Sequence, residues 1–338
     1  MTTVSRALAT FAALVGFGLA GDALAQPAAP AKASAAAIKD PFVRQGGAPL
    51  ETLAANKARV MRAAFVDGYD RDAGVIAFIR APGEEPRVEV RMGSTRPLTA
   101  VVSARAWNDL VQAGAVFDRD LQPRPPANPA TAPLFCLHPW SATVEAVDAD
   151  GRIRRKAGGS CPIEPTLAYA FAARLAQAAV AEMPACAMID DRDLGPVRQL
   201  AQCGLLSGDR AAAAEALNVW NTPWFANPRG PDFARSQAYL FHDKIRLAWP
   251  GEAPVEGPIR AAEVWAAKAG EARFQVRRVH GETADRVRME GAIQVDGPLD
   301  AYGAKPRIPM TILWTRENGF GFRVRDLIAE TPEPSQPR

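Results

Sequence analysis

The chain has 338 residues and a formal net charge of +3, from 40 Lys and Arg residues against 37 Asp and Glu residues. These charges are dispersed, so the sequence lacks the basic stripe of a nucleic-acid-binding protein and we expect no nucleic-acid partner. The length is long for a single core and predicts two domains.

The first 25 residues have the pattern of a secretory signal peptide. Arg6 precedes an apolar run over residues 7–20, and Ala23-Leu24-Ala25 forms the small-residue ending of a cleavage site. We therefore expect cleavage between Ala25 and Gln26 and a periplasmic protein, with an uncleaved anchor as the alternative. The run is shorter than the roughly 20 residues that cross a bilayer, and no later stretch is long and apolar enough, so we expect no membrane span.

The mature chain divides by composition. Residues 26–40 are rich in Ala and Pro and predict a linker. We expect an α+β domain over residues 41–206, in which we recognise no family, a second domain over residues 209–331, and a disordered tail over residues 332–338.

The cysteines predict disulfides, because their number is even in an exported chain. They are Cys136, Cys161, Cys186 and Cys203. Three pairings are open, and the sequential one, Cys136 with Cys161 and Cys186 with Cys203, closes the shortest loops. A zinc site is the alternative because His138 lies close to Cys136, but structural zinc ligands usually come in closely spaced pairs. We expect no metal and no cofactor.

The first half of the 41–206 domain predicts two helices and a hairpin. Apolar residues at near-helical spacing over residues 49–65 predict an amphipathic helix. Gly74–Arg80 and Arg87–Met92 predict the hairpin, and Ser103 is a candidate N-cap for a helix that carries Trp107. Residues 122–133 are rich in proline and predict an exposed loop.

The second half of this domain predicts a hairpin and two helices. Thr143–Val147 and Arg152–Lys156 flank an Asp-Gly turn typical of a hairpin. Thr166–Met183 predicts a helix that Pro184 ends, and residues 194–206 predict another.

The C-terminal third predicts helices followed by long strands. Tyr239–Trp265 runs as a helix end, a strand, a Pro-Gly turn and a helix. Three alternating segments follow, over residues 273–279, 286–295 and 307–316, and a fourth over residues 320–328. The predicted inner faces of the second and third segments are wholly apolar, and consist of Val287, Met289, Gly291, Ile293, Val295, Ile308, Met310, Ile312 and Trp314.

This order of elements, from the aromatic helix end to the closing WTRENGFGFRVRD, resembles the NTF2-like family, also called SnoaL or ketosteroid-isomerase-like. The resemblance covers residues 209–331 and implies a cone: a curved antiparallel sheet wrapped on helices, with an interior that can hold an apolar ligand. It also implies a homodimer formed through the sheet. The ligand-pocket residues it suggests are Tyr239, Trp249, Trp265, Met289, Trp314 and Phe322.

Two acidic or basic side chains are candidates for catalysis. Asp326 falls in the apolar phase of the last strand, where a carboxylate must be paired or protonated, and such groups are often functional. His242 lies at the junction of a helix and a strand and could serve as a general base. The alternatives are that Asp326 lies beyond the buried zone or pairs with Arg246 or Arg288, and that Asp243 caps backbone groups beside His242.

Three functions stay open. The first is an exported protein that binds a small apolar or amphipathic molecule without catalysis. The second is an isomerase or dehydratase that uses Asp326 or His242. The third is an interaction or dimerisation module that docks through the outer face of the sheet, where we expect the arginines Arg273, Arg277, Arg288 and Arg323.

Overall fold

The computed structural model describes residues 40–331 except 70, 94, 115–138, 161–165, 191–194, 223–224, 226–230, 270–273, 295–305, 318 and 320. The predicted signal peptide, all of the linker before Asp40 and the predicted tail lie outside the described residues. So do Cys136, Cys161 and the proline-rich loop over residues 122–133.

The described strands form two sheets, and the chain combines them with helices as an α+β fold. The first sheet has the order β4-β3-β2-β1-β5-β6, with every neighbouring pair antiparallel. Its strands are β1 (Arg59–Val66), β2 (Asp72–Arg80), β3 (Arg87–Arg91), β4 (Leu98–Val101), β5 (Ser141–Val147) and β6 (Ile153–Gly159).

Helices cover both faces of the first sheet. Short α1 (Pro41–Arg44) and α2 (Leu50–Ala55) lie over one face, where a small core includes Phe42 and Leu50. Helices α3 (Ala104–Ala113) and α4 (Leu167–Ala181) lie on the other side of the sheet, in the main core. Both predicted hairpins, β2-β3 and β5-β6, are confirmed.

The predicted helix over residues 49–65 is wrong beyond its first turns. Helix α2 ends at Ala55, Lys57 adopts a positive φ of 57°, and the chain then enters β1. Six consecutive residues of β1 are buried, because this central strand is covered on both faces, so its sequence shows no alternation. Ala and Met favour helices in isolation, but burial between two strands outweighs that preference here.

Side-chain caps fix the starts of α3 and α4, and the cap at Ser103 was predicted. The Ser103 hydroxyl accepts a hydrogen bond from the Ala106 amide at 3.3 Å, and the Thr166 hydroxyl accepts one from the Tyr169 amide at 3.2 Å. Each cap satisfies an amide that the first helical turn leaves without a partner.

The predicted disulfide between Cys186 and Cys203 is present. It joins α5 (Pro184–Ala187) to the last residue of α6 (Gly195–Cys203), with the two Cα atoms 5.1 Å apart. Gln199 strengthens the same connection, because its amide donates to the carbonyls of Cys186 at 3.0 Å and Ile189 at 2.9 Å.

The second sheet has the order β7-β10-β11-β12-β13-β8-β9. Its strands are β7 (Leu206–Gly208), β8 (Phe241–Ala248), β9 (Val255–Glu256), β10 (Phe274–Thr283), β11 (Arg286–Gln294), β12 (Arg307–Glu317) and β13 (Gly321–Ala329). The associated helices are α7 (Arg210–Trp220), α8 (Pro231–Ser236), a 3₁₀ turn (Ala238–Leu240) and α9 (Pro258–Ala269). The four predicted C-terminal strands correspond to β10–β13.

The two sheets share one continuous apolar core. Strand β7 pairs in parallel with β10, so the second sheet takes its first strand from residues 206–208, at the predicted boundary between the two domains. None of the described helices is both long enough and apolar enough to cross a membrane.

Candidate functional site

Aromatic rings fill the space between the second sheet and its helices. Trp220, the last residue of α7, lies at the centre, with its ring 4.9 Å from Phe225 and 4.8 Å from Phe274. Its ring also lies 5.8 Å from Trp265 of α9 and 6.4 Å from Trp314 of β12. The ring of Phe241, the first residue of β8, lies beside that of Phe225. We call these six rings the aromatic cluster: Trp220, Phe225, Phe241, Trp265, Phe274 and Trp314.

Two indole groups of the aromatic cluster lack hydrogen-bond partners. The Nε1 atoms of Trp265 and Trp314 are buried, and no group of the described chain accepts a hydrogen bond from either. Both side chains are at most 1% exposed. A buried donor without an acceptor costs about 1–3 kcal/mol, and native proteins contain few such groups. Both donors are closed off in this structure, so an acceptor would reach them only if the surrounding side chains moved apart.

The inner face of the sheet has the predicted apolar character. The side chains of Met289, Trp314 and Phe322 are no more than 2% exposed. The other predicted inner-face residues of β11 and β12 that the structure describes are buried as well, and Val295 lies outside the described residues.

Two predicted pocket residues lie away from this interior. Trp249 is half-buried after the end of β8, with the Lys268 ammonium 5.5 Å from its ring. The Tyr239 side chain is 58% exposed, which corrects its expected interior position. Its main chain is held inward instead, because the Tyr239 carbonyl accepts a hydrogen bond from Arg323 Nε at 2.8 Å.

Asp326 does not lie on the inner face of β13, contrary to expectation. The pairing of β13 with β12 shifts between Val324 and Asp326, and this bulge reverses which side chains point inward. Leu327 and Ala329 are buried in place of Asp326, which lies opposite Leu313 on the outer face. Strict alternation in the sequence could not reveal the extra residue.

His242 has both ring nitrogens engaged on the outer side of the sheet. Its Nδ1 accepts a hydrogen bond from the Lys244 amide at 2.9 Å, so the neutral ring carries its proton on Nε2. That Nε2 lies 2.7 Å from Glu317 Oε1. Neither nitrogen is directed at the aromatic cluster.

Arg323 is the centre of a network of hydrogen bonds on the outer face of the sheet. The sequence did not indicate this role. The Arg323 residue is only 8% exposed. Its guanidinium donates hydrogen bonds to Glu317, to the Tyr239 and Phe241 carbonyls, and to Asp243 at 3.3 Å. Arg323 does lie on the outer face, as expected, but its burial there leaves it unavailable to a docking partner. The alternation of charged and apolar residues in β13 gave its face but not its burial.

An ion pair joins one end of β12 to helix α7. Both terminal nitrogens of Arg316 bond to the Glu215 carboxylate, at 2.8 and 2.7 Å, and this bonding raises the pKa of the Arg316 guanidinium. The guanidinium carbon also lies 4.5 Å from the centre of the Phe322 ring. The ion pair between Arg316 and Glu215 thus ties the helix that carries Trp220 to the strand that carries Trp314.

Comparisons with known proteins give structural neighbours only. No family model matches the chain, and no curated protein matches it. The solved structures that resemble part of the chain include NTF2-like and ketosteroid-isomerase-like proteins.

Three of these structures illustrate the extent of the similarity. A ketosteroid isomerase-like protein from Erwinia carotovora atroseptica is 17% identical, over 35% of this chain and 88% of its own, with a TM-score of 0.25. An NTF2-like protein of unknown function from Cytophaga hutchinsonii is 16% identical, over 34% and 96%, with a TM-score of 0.24. A type 2 hexachlorocyclohexane dehydrochlorinase is 17% identical, over 38% and 90%, with a TM-score of 0.25.

Proposed function

We propose that the protein is exported and that residues 209–331 form an NTF2-like domain that binds a small, mainly apolar molecule carrying a hydrogen-bond acceptor. The observation that carries this proposal is the pair of unpartnered indole donors, Trp265 and Trp314, in one aromatic cluster. The disulfide between Cys186 and Cys203 supports export, because such bonds persist in oxidising compartments.

The chemistry of the aromatic cluster defines the ligand class. Its rings favour flat or alicyclic apolar groups, and its polar groups without partners are donors only, so a carbonyl or ether oxygen fits better than a hydroxyl that must also donate. Apolar sites with a few placed polar groups are typical of small-molecule pockets.

Binding without catalysis is the favoured form of this proposal. A general base must reach the proton it removes, and His242 instead bonds to Lys244 and Glu317. Asp326 lies on the opposite face of the sheet from Trp314. An isomerase or dehydratase would need a different base.

The acceptor requirement can be tested with matched ligands. We expect cyclooctanone to displace a bound fluorescent naphthalene dye, 1-anilinonaphthalene-8-sulfonate, about 2- to 10-fold more effectively than cyclooctane, because one hydrogen bond contributes about 0.5–1.5 kcal/mol. Trp314→Phe and Trp265→Phe should each reduce this preference while keeping the aromatic packing.

The matched control is Trp107→Phe in helix α3, beside the first sheet. Trp107 is also 1% exposed with an unpartnered Nε1, but it lies outside the aromatic cluster, so the ketone preference should survive. Equal displacement by the ketone and the hydrocarbon in the unchanged protein would rule out the proposed acceptor site. If the ketone is preferred, mass spectrometry of molecules that co-purify with the native protein would identify the natural ligand.

A homodimer through the second sheet is a second candidate, favoured by the outer face itself. Leu313 of β12 and Ile328 of β13 are half-buried apolar residues on that face, and Ile328 lies opposite Thr311. We propose a second copy as the occupant, because a two-fold interface places the same strip of both copies against each other.

Sedimentation velocity tests this second candidate. We expect the unchanged protein to form dimers and Leu313→Glu to shift it to monomers, because a buried unpaired charge opposes association. The control is Arg105→Glu in helix α3, which changes the charge of an exposed residue outside the second sheet. A monomeric unchanged protein at every concentration would refute the dimer and leave the ligand proposal standing.

A further inference from the structure

The disulfide between Cys186 and Cys203 has different neighbours at its two sulfur atoms. Arg210 Nη2 donates a hydrogen bond to Cys203 Sγ at 3.2 Å. Cys203 is the last residue of α6, and Arg210 is the first residue of α7. The Cys186 sulfur instead lies 3.7 Å from the uncharged thioether of Met183. A positive charge is therefore placed beside the Cys203 half of the bond.

Arg210 has no carboxylate partner among the residues that the structure describes. Its Nε atom is buried without a hydrogen-bond partner there, and the Cys203 sulfur accepts the bond from its Nη2 atom. A disulfide sulfur carries no net charge and is a weak acceptor, so the guanidinium charge is poorly compensated. A thiolate at Cys203 would supply the missing negative charge, and hydrogen bonds to ionised acceptors are about twice as strong as neutral ones.

We propose that the bond between Cys186 and Cys203 is a redox site for dithiol reductants, in which Arg210 stabilises the reduced form by pairing with the Cys203 thiolate. A thiolate of the reductant forms a bond to Cys186 Sγ, the disulfide breaks, and its electron pair stays on Cys203. The second sulfur of the reductant, after losing its proton, displaces Cys186, which takes up one proton. The reductant loses two electrons and becomes a disulfide, the protein gains them, and one proton is released to solvent.

Reduction replaces a covalent link with an ion pair between different helices. The disulfide joins α5 to α6, whereas the ion pair of the reduced protein joins α6 to α7, the helix that ends at Trp220. Helix α5 keeps the bonds from Gln199 to the Cys186 and Ile189 carbonyls but loses its covalent anchor. Both cysteines are 0% exposed, so exchange requires local opening, for which this four-residue helix is suited.

Equilibration with reduced and oxidised dithiothreitol tests the role of Arg210. We expect Arg210→Met to lower the equilibrium constant for reduction about 10- to 100-fold, or about 30–60 mV in reduction potential, because it removes a charge-assisted hydrogen bond to the thiolate. The samples are followed until the ratio is constant, since the sulfur atoms are buried. Acid quenching, alkylation and peptide mass spectrometry report this pair separately from Cys136 and Cys161.

The matched control is Arg198→Met. Arg198 lies on α6, the helix that ends at Cys203, but it is exposed, and its guanidinium carbon lies 5.7 Å from the centre of the Trp140 ring. The equilibrium constant of this variant should stay within about 2-fold of the unchanged value, because an exposed charge contributes little. Arg210→Lys keeps the positive charge and should retain part of the stabilisation of the reduced form.

The thiolate provides a second measurement that needs no variant of Arg210. At neutral pH, where an unperturbed thiol is mainly protonated, the reduced protein should show an ultraviolet thiolate absorbance that Cys203→Ser removes and Cys186→Ser retains. Equal absorbance in these two serine variants, or equal equilibrium constants for Arg210→Met and Arg198→Met, would overturn the proposal. Neither result bears on the ketone experiment, because the disulfide shares no residue with the aromatic cluster.

Discussion

Replacing Arg62 with Met is expected to destabilise the protein by about 3–5 kcal/mol, the cost typical of breaking a buried ion pair from one side. Arg62 is 1% exposed. Its guanidinium bonds to Glu145 Oε2 at 2.5 Å and to Asp40 Oδ2 at 2.9 Å, and it lies 3.9 Å from the Phe42 ring. The variant leaves two carboxylates without this partner and loosens α1 from the first sheet.

The control for this experiment is Arg44→Met in α1. Arg44 also pairs with a carboxylate, Asp72 at 2.7 Å, but the two side chains are 45% and 41% exposed, so the expected cost is about 0–1 kcal/mol. Urea unfolding measures both variants. Equal losses of stability would show that the burial of Arg62 does not set its contribution.

Replacing Arg323 with Met is the second large expected effect, again about 3–5 kcal/mol. The change removes the donors to the Tyr239 and Phe241 carbonyls and leaves Glu317 without its arginine. These bonds connect β13 to the start of β8, where the parallel pairing is irregular between Phe241 and Arg246. The loss of amide protection against hydrogen exchange should therefore be greatest at this junction.

Hydrogen exchange separates this effect from a general loss of stability. We expect amides near Tyr239 and His242 to exchange faster in Arg323→Met than amides of the first sheet, measured under conditions where both proteins are folded. Arg286→Met is the control, because Arg286 is 51% exposed and pairs with Glu282 at the surface. Uniform acceleration across both sheets would contradict the proposed role of Arg323.

Local patterns in the sequence predicted most elements of the second sheet. Alternation placed Met289 and Trp314 on the buried face, because each strand has one covered and one more open side. The hairpins of the first sheet and the cap at Ser103 were also predicted, since turns and caps depend on a few adjacent residues.

The candidate site was only partly predictable. Trp265 and Trp314 were expected in the interior, but no sequence pattern indicates that their indole groups lack partners, since this depends on every neighbouring acceptor. Trp220 and Phe225 belong to a segment whose aromatic content is as typical of ordinary core packing as of a ligand site.

The sequence by itself therefore determined the α+β class, the apolar inner faces and the caps, because these follow from periods and side-chain chemistry along short segments. Only the tertiary structure decided that residues 59–66 form a central strand, that a bulge moves Asp326 to the outer face, and that Arg323 is buried. Each of these depends on strand pairing and burial between segments far apart in the chain, where packing outweighs local preference.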